Sequence, residues 1–179
     1  RRNGFDNYQK GIPFYMSFIE PIIPGQTLLS TKRSAAYPIE LGKYSFANKH
    51  IKYRDSTFSR TQNDRFSVCV AEGLYMDPAL IDSVYQMIYD SKLTANPTYV
   101  YSDLGFYLFT HMFRNVLNKD LCAFTDSCFY KPLGAYTLGY LPLRKFDKSI
   151  IAPTENDLVF RKQLIQGYVH DPGAAMLGG

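Results

Sequence analysis

Tryptophan is absent from this 179-residue sequence, and histidine and cysteine occur only three times each. Cys69, Cys122 and Cys128 cannot all pair with one another. No Cys-x-x-Cys is present to bind zinc or cycle between thiol and disulfide, so cysteine chemistry is not expected to be the function. Cys122 and Cys128 lie in an apolar stretch and are expected to be small buried side chains. His50, His111 and His170 are too scattered for a His-x-x-x-His spacing. No metal and no cofactor is therefore expected, and His111 is expected to be a hydrogen-bonded core residue. A Gly-x-Ser-x-Gly elbow and a phosphate-cradling glycine loop are both missing. No run approaches the roughly eighteen apolar residues of a membrane span, and the opening Arg1-Arg2-Asn3-Gly4-Phe5-Asp6 lacks the apolar centre of a secretion signal. A soluble chain without a membrane span is expected, and these features leave its compartment open.

What is present is ordinary globular material: 46% hydrophobic and 20% charged residues, with 15 Tyr and 13 Phe, enough to fill a core. The length suits a single domain spanning 1–179. The net charge of +4 is mild, and nucleic acid is not an expected partner. Its distribution is uneven. Residues 31–65 hold eight basic side chains (Lys32, Arg33, Lys43, Lys49, Lys52, Arg54, Arg60 and Arg65) against three acids, which leaves the remainder at −1. Tyr37, Tyr44, Phe46, Tyr53 and Phe58 are interleaved with them. Two readings stay open: a solvated extended segment, or a non-catalytic module that holds glycan or an anionic polymer through 31–65.

Proline and glycine interrupt every period through the first third, at Pro13, Pro21, Pro24, Gly25, Pro38 and Gly42, so residues 1–65 are expected to be loop-rich. Phe66, Val68 and Val70 alternate as a short extended stretch. Asp77-Pro78 then opens a helix to about Ser91, with Ile81, Val84, Tyr85 and Ile88 on one face. After Asn96-Pro97, Ser102 can cap a second helix with Leu104, Leu108, Met112 and Val116 in one stripe and Phe106, Phe109 and Phe113 beside it. A helix so apolar should be deeply buried in a complete fold, and should show an exposed apolar face, with self-association, where its cover is missing. A third helix is expected over Leu121 to Phe129, and a fourth from Thr154, capped with Asp157, to about Gln166. The nine residues from Asp171 to Gly179 read as small and flexible. Residues 66–179 thus form a helical region, and the expected class is mainly α with few short strands.

Tyr99-Val100-Tyr101-Ser102-Asp103-Leu104-Gly105-Phe106 places Tyr, Ser and Asp directly before the apolar helix. The string YVYSDLGFYLF resembles the second motif of the class C beta-lactamase, DD-peptidase and esterase superfamily, a Tyr-x-Asn followed by Gly and an apolar helix. FYKPLGAYTLGYLPL resembles its Pro-Leu-Gly element. IAPTENDLVFRKQLIQGYVHDPGAAMLGG resembles the beta-lactamase-like module that follows a family 3 glycoside hydrolase of the beta-N-acetylglucosaminidase type in large bacterial proteins. The likeness runs from about Phe66 to Gly179.

That resemblance implies a serine hydrolase that cleaves an amide or ester through an acyl-enzyme, acting on a small-molecule or peptidoglycan-like substrate in the periplasm or cell envelope. It gives Tyr101 the proton-transfer role toward a nucleophilic serine. Asp103 takes the place of an amide that contacts substrate and the motif lysine, and an acid there cannot donate as an amide does. Ser102, His170 and Asp171 would be supporting contacts, with 167–171 on the active-site side near the Tyr101 turn. The alternative for the turn is structural, with Ser102 as a helix cap and Tyr101 packed. No serine in the chain has lysine three residues later, and no Lys-Thr-Gly follows. The chain is therefore expected to be an internal portion of a larger hydrolase and inactive alone.

Overall fold

The computed structural model describes residues 14–91 and 103–177. A 3-10 turn, Phe14–Phe18, leads into eight short strands: β1 (Ile19–Pro21), β2 (Leu29–Ser30), β3 (Ile39–Gly42), β4 (Ser45–Ala47), β5 (Ile51–Tyr53), β6 (Phe58–Ser59), β7 (Val68–Ala71) and β8 (Leu74–Met76). Helices α1 (Ala79–Asp90), α2 (Leu104–Asn115) and α3 (Leu121–Thr125) follow, then β9 (Pro153–Asp157), β10 (Gln163–Gln166) and α4 (Pro172–Leu177). All strand pairing is antiparallel, in four small sheets ordered β1-β5, β2-β4-β3, β6-β8-β7 and β10-β9.

The expectation of a mainly α fold is overturned. Of the described residues, 33% are helical and 22% are strand, in ten strands and four α-helices. The strands escape a sequence reading because they are two to five residues long, too short to show an alternation. Several of their turns place a residue other than glycine at positive φ, among them Tyr44 (60°), Ser56 (65°) and Lys162 (55°), so the usual turn signature is missing. The first third, described from residue 14, is loop-rich between its short strands, and it packs into the core. Its Phe18, Tyr53 and Phe58 pack with Phe160 of the β9–β10 connection, the Phe58 and Phe160 rings meeting edge to face at 5.3 Å. Tyr53 Oη donates to the Phe160 carbonyl at 2.5 Å and Lys162 Nζ to that of Ile51 at 2.7 Å, binding β5 and the β9–β10 connection into one core.

The helix expected over Pro78–Ser91 forms as α1, its start held by the Asp77 carboxylate, which accepts from the Ala79 N–H at 3.0 Å. Val84, Tyr85 and Ile88 face the core. The short extended stretch at 66–71 forms as β7. The third helix is shorter than expected, ending at Thr125 and passing into a wider π-helical turn at Asp126–Tyr130.

The helix expected from Thr154 to Gln166 does not form; a hairpin stands in its place. Asp157 does cap a turn, but a tight one. Its Oδ1 accepts from the N–H groups of Val159 and Phe160, and its Oδ2 from that of Arg161. Lys162 then turns left-handed and β10 runs back, with Thr154 Oγ1 donating across the hairpin to Ile165 at 3.1 Å. The end of the chain also departs from expectation. Asp171 Oδ1 caps α4 through the Gly173 N–H, Pro172 occupies its first position, and Met176 and Leu177 are buried. Gly173 is required by close approach: a Cβ there would lie 2.6 Å from the Phe14 ring and 2.8 Å from the Tyr107 hydroxyl.

Helix α2 buries only Thr110, while Phe106, Phe109, Met112 and Val116 are exposed. Leu133, Tyr136 and Ile150, in the connection between α3 and β9, are each more than 70% exposed. We expect this chain to self-associate through that surface, with the weight-average mass in light scattering rising with concentration; a clean monomer at high concentration would refute it. His111 on α2 is half-buried, its ring 4.4 Å from that of Tyr85 and its Nε2 2.8 Å from the Asn115 amide. Cys122 is half-buried and Cys128 exposed, so these two thiols are not the buried core groups expected; all three cysteines are free.

Candidate functional site

Tyr101 and Ser102 lie outside the described residues. Asp103 directly precedes α2, half-buried, and its carbonyl accepts from the N–H groups of Phe106 (2.9 Å) and Tyr107 (3.2 Å). One turn on, Tyr107 donates its hydroxyl to Asp171 Oδ2. Burial first, and the adjacent Asp171 carboxylate second, push the Tyr107 phenol well above the ordinary tyrosine range and hold it as a neutral donor. Asp103 and Asp171, predicted from separate motifs, are thus brought to one end of α2 through a tyrosine that sequence reasoning missed. Phe14 packs edge-on against the Tyr107 ring at 5.8 Å.

Beside this contact the hairpin holds a buried charge network. Arg161 is fully buried. Its Nε donates to Asp157 Oδ2 (3.0 Å), its Nη1 to the Val169 carbonyl (2.7 Å), and its Nη2 to the His170 carbonyl (2.5 Å) and to Glu155 Oε1. Glu155 Oε2 in turn lies 3.1 Å from His170 Nδ1. The strand alternation of β9 is the cause: Glu155 and Asp157, two residues apart, project from one face, and the turn after Asp157 brings Arg161 back onto both. A carboxylate-oriented imidazole results, anchored by a guanidinium that solvent does not reach. His170 itself is exposed, as an ordinary surface histidine would be, but it is not unpartnered.

This dyad borders a cleft of about 560 Å³ between β3–β4 and the hairpin, lined by Tyr15, Glu40, Ser45, Glu155, Asn156 and His170 among others. Burial, with Asp157, Asp171 and Glu155 nearby, raises the Tyr15 phenol far above its usual range, so it too stays protonated. Among the described residues no lysine or arginine lines the cleft. Among the described residues no group of three or more His, Cys, Asp and Glu side chains could hold a metal ion.

The basic segment 31–65 is folded into the structure rather than displayed as one surface. Lys52 and Arg54 pair with Glu20, Arg65 with Asp77, and Arg60 donates to the Arg161 carbonyl, while Tyr53 and Phe58 belong to the aromatic core. Lys32, Arg33, Lys43 and Lys49 have no ion pair among the described residues. Among the described residues no helix is long and apolar enough to cross a membrane. No family model matches the chain, and searches of curated proteins and of solved structures find no match.

Proposed function

We propose that this chain is the central portion of a serine hydrolase of the beta-lactamase and DD-peptidase type, which cleaves an amide or ester of a cell-wall-derived substrate through an acyl-enzyme. The observation that carries the reading is the hydrogen bond from Tyr107 to Asp171. The Tyr-Ser-Asp sequence at 101–103, which precedes α2, and the Val-His-Asp stretch at 169–171 both resemble that superfamily, and this bond ties α2 to the second of them beside a ligand-sized cleft. In this reading Tyr101 carries the proton between serine and leaving group, Asp103 contacts substrate or the motif lysine, and His170 and Asp171 support the turn. The serine and its lysine come from sequence outside these 179 residues.

Labelling by a fluorophosphonate probe tests the reading, applied to this chain and to a longer polypeptide that adds a Ser-x-x-Lys helix and a late strand. We expect a labelled serine and turnover of nitrocefin or a thioester only in the longer protein. Labelling of a serine within the 179 residues would overturn it, and so would a longer protein that is folded and unlabelled.

A further inference from the structure

We propose that the cleft between β3–β4 and the β9–β10 hairpin is a carbohydrate subsite, which takes a neutral, hydroxyl-rich ring and sets the His170 imidazole against one of its hydroxyls. The inference does not depend on acyl chemistry, because it concerns binding in the cleft and not the reaction of a serine.

The polar groups of the cleft are its first argument. Tyr15, Glu40, Ser45 and Asn156 all line it, and none of these side chains has a hydrogen-bond partner among the described residues. His170 adds a fifth group. Its Nδ1 is 3.1 Å from Glu155 Oε2, so in the neutral ring Nδ1 carries the hydrogen and Nε2 is left as an acceptor. An apolar ligand would strip these groups of water and return nothing, at a cost that grows with each one. Met16, Ile39 and Val159 supply apolar wall between them, and the volume of about 560 Å³ lies within the about 300–1,000 Å³ typical of small-ligand sites. Apolar wall with several convergent donors and acceptors matches a sugar ring, whose faces are apolar and whose rim is hydroxyl.

Charge narrows the class further. Glu40, Glu155 and Asp157 line the cleft, and Arg161, bonded to two of them, is fully buried with its N–H groups committed to Asp157, Glu155 and two carbonyls. Among the described residues a carboxylate or phosphate would find no lysine or arginine lining the cleft and would face Glu40. An ammonium gains little, because Arg161 already pairs with Glu155 and Asp157, and Glu40 is exposed, where a single ion pair contributes little.

The test uses three matched ligands, methyl glucoside, methyl glucuronide and methyl glucosaminide, titrated into the 179-residue chain and followed by ¹H–¹⁵N NMR. The glucoside should shift the amides of Ser45, Asn156 and His170, and the glucuronide should bind at least about tenfold more weakly, a difference of about 1.4 kcal/mol. Asn156→Ala and His170→Ala should each weaken the glucoside by about fivefold, as one lost hydrogen bond does. Both leave the core intact: Asn156 is exposed, and it is the His170 carbonyl, not its ring, that accepts from Arg161. Absence of shifts at saturating glucoside would overturn the proposal. So would a glucuronide or glucosaminide that binds more tightly than the glucoside, or full affinity in both variants. Loss of hydrolase activity in the longer protein with this binding intact would count against the proposed acyl chemistry alone.

Discussion

Replacing Arg161 with methionine is expected to destabilise the fold by about 3–5 kcal/mol, the cost of removing one partner from a buried ion pair. Methionine keeps much of the arginine stem's bulk, so the loss isolates the charge rather than a cavity. The side chain has no solvent exposure, and it joins four groups at once: the Glu155 and Asp157 carboxylates and the carbonyls of Val169 and His170. Without it, Asp157 and Glu155 are left as carboxylates short of a counter-charge, and the 167–171 segment loses the two bonds that Arg161 makes to it. Single domains are stable by only about 5–15 kcal/mol, so the urea midpoint followed by circular dichroism should fall by a large fraction. Lys131→Ala, which breaks the exposed pair with Asp126, should leave the midpoint almost unmoved. The double variant Asp157→Asn, Arg161→Met should recover part of the loss, since one stranded charge goes with it. An unchanged midpoint in Arg161→Met would show that the network contributes nothing to folding.

The same network marks how far the sequence could be read. Helix α1 is legible because Asp77-Pro78 and the spacing of Val84, Tyr85 and Ile88 act locally, within a few turns. The hairpin at 153–166 is not, because Thr154 and Asp157 offer the same local signal for a helix cap as for a tight turn. What decides between them is Arg161 closing back onto Asp157, together with Phe160 entering a cluster with Tyr53 and Phe58 a hundred residues earlier. The small sheets escape for the same reason: strands such as Leu29–Ser30 or Phe58–Ser59 carry no period of their own and exist through their partners. Among site residues, Asp103, His170 and Asp171 are visible from motif resemblance, whereas Tyr107 looks like one more aromatic on an apolar helix. Its hydroxyl acquires a role only when Asp171 arrives from far along the chain. Glu155 and Asp157 carry a signal that could have been used, two acids on one strand face with an arginine four residues after the second.

Tyr101→Phe in the longer polypeptide should reduce the rate of serine acylation by about 10²–10⁴-fold, the contribution of a positioned proton-transfer group. The expectation rests on the resemblance, which gives the tyrosine three positions before Leu104, the first residue of α2, the proton-transfer role. Phenylalanine keeps the ring and removes only the oxygen, so binding affinity should hold while the acylation rate constant falls. A rise in KM alone would mark Tyr101 as a binding residue. Asp103→Asn provides the complementary measurement. It restores the donor amide that the resembling motif carries, and should move preference toward substrates that present an acceptor to residue 103, without a comparable loss of rate. The pH profile separates the two roles. Removing a titrating base should abolish the acidic limb of the acylation rate, whereas altering a substrate contact should leave that limb in place. If Tyr101→Phe leaves both the rate and the profile intact, the tyrosine has no part in proton transfer, and the proton acceptor for the serine lies elsewhere.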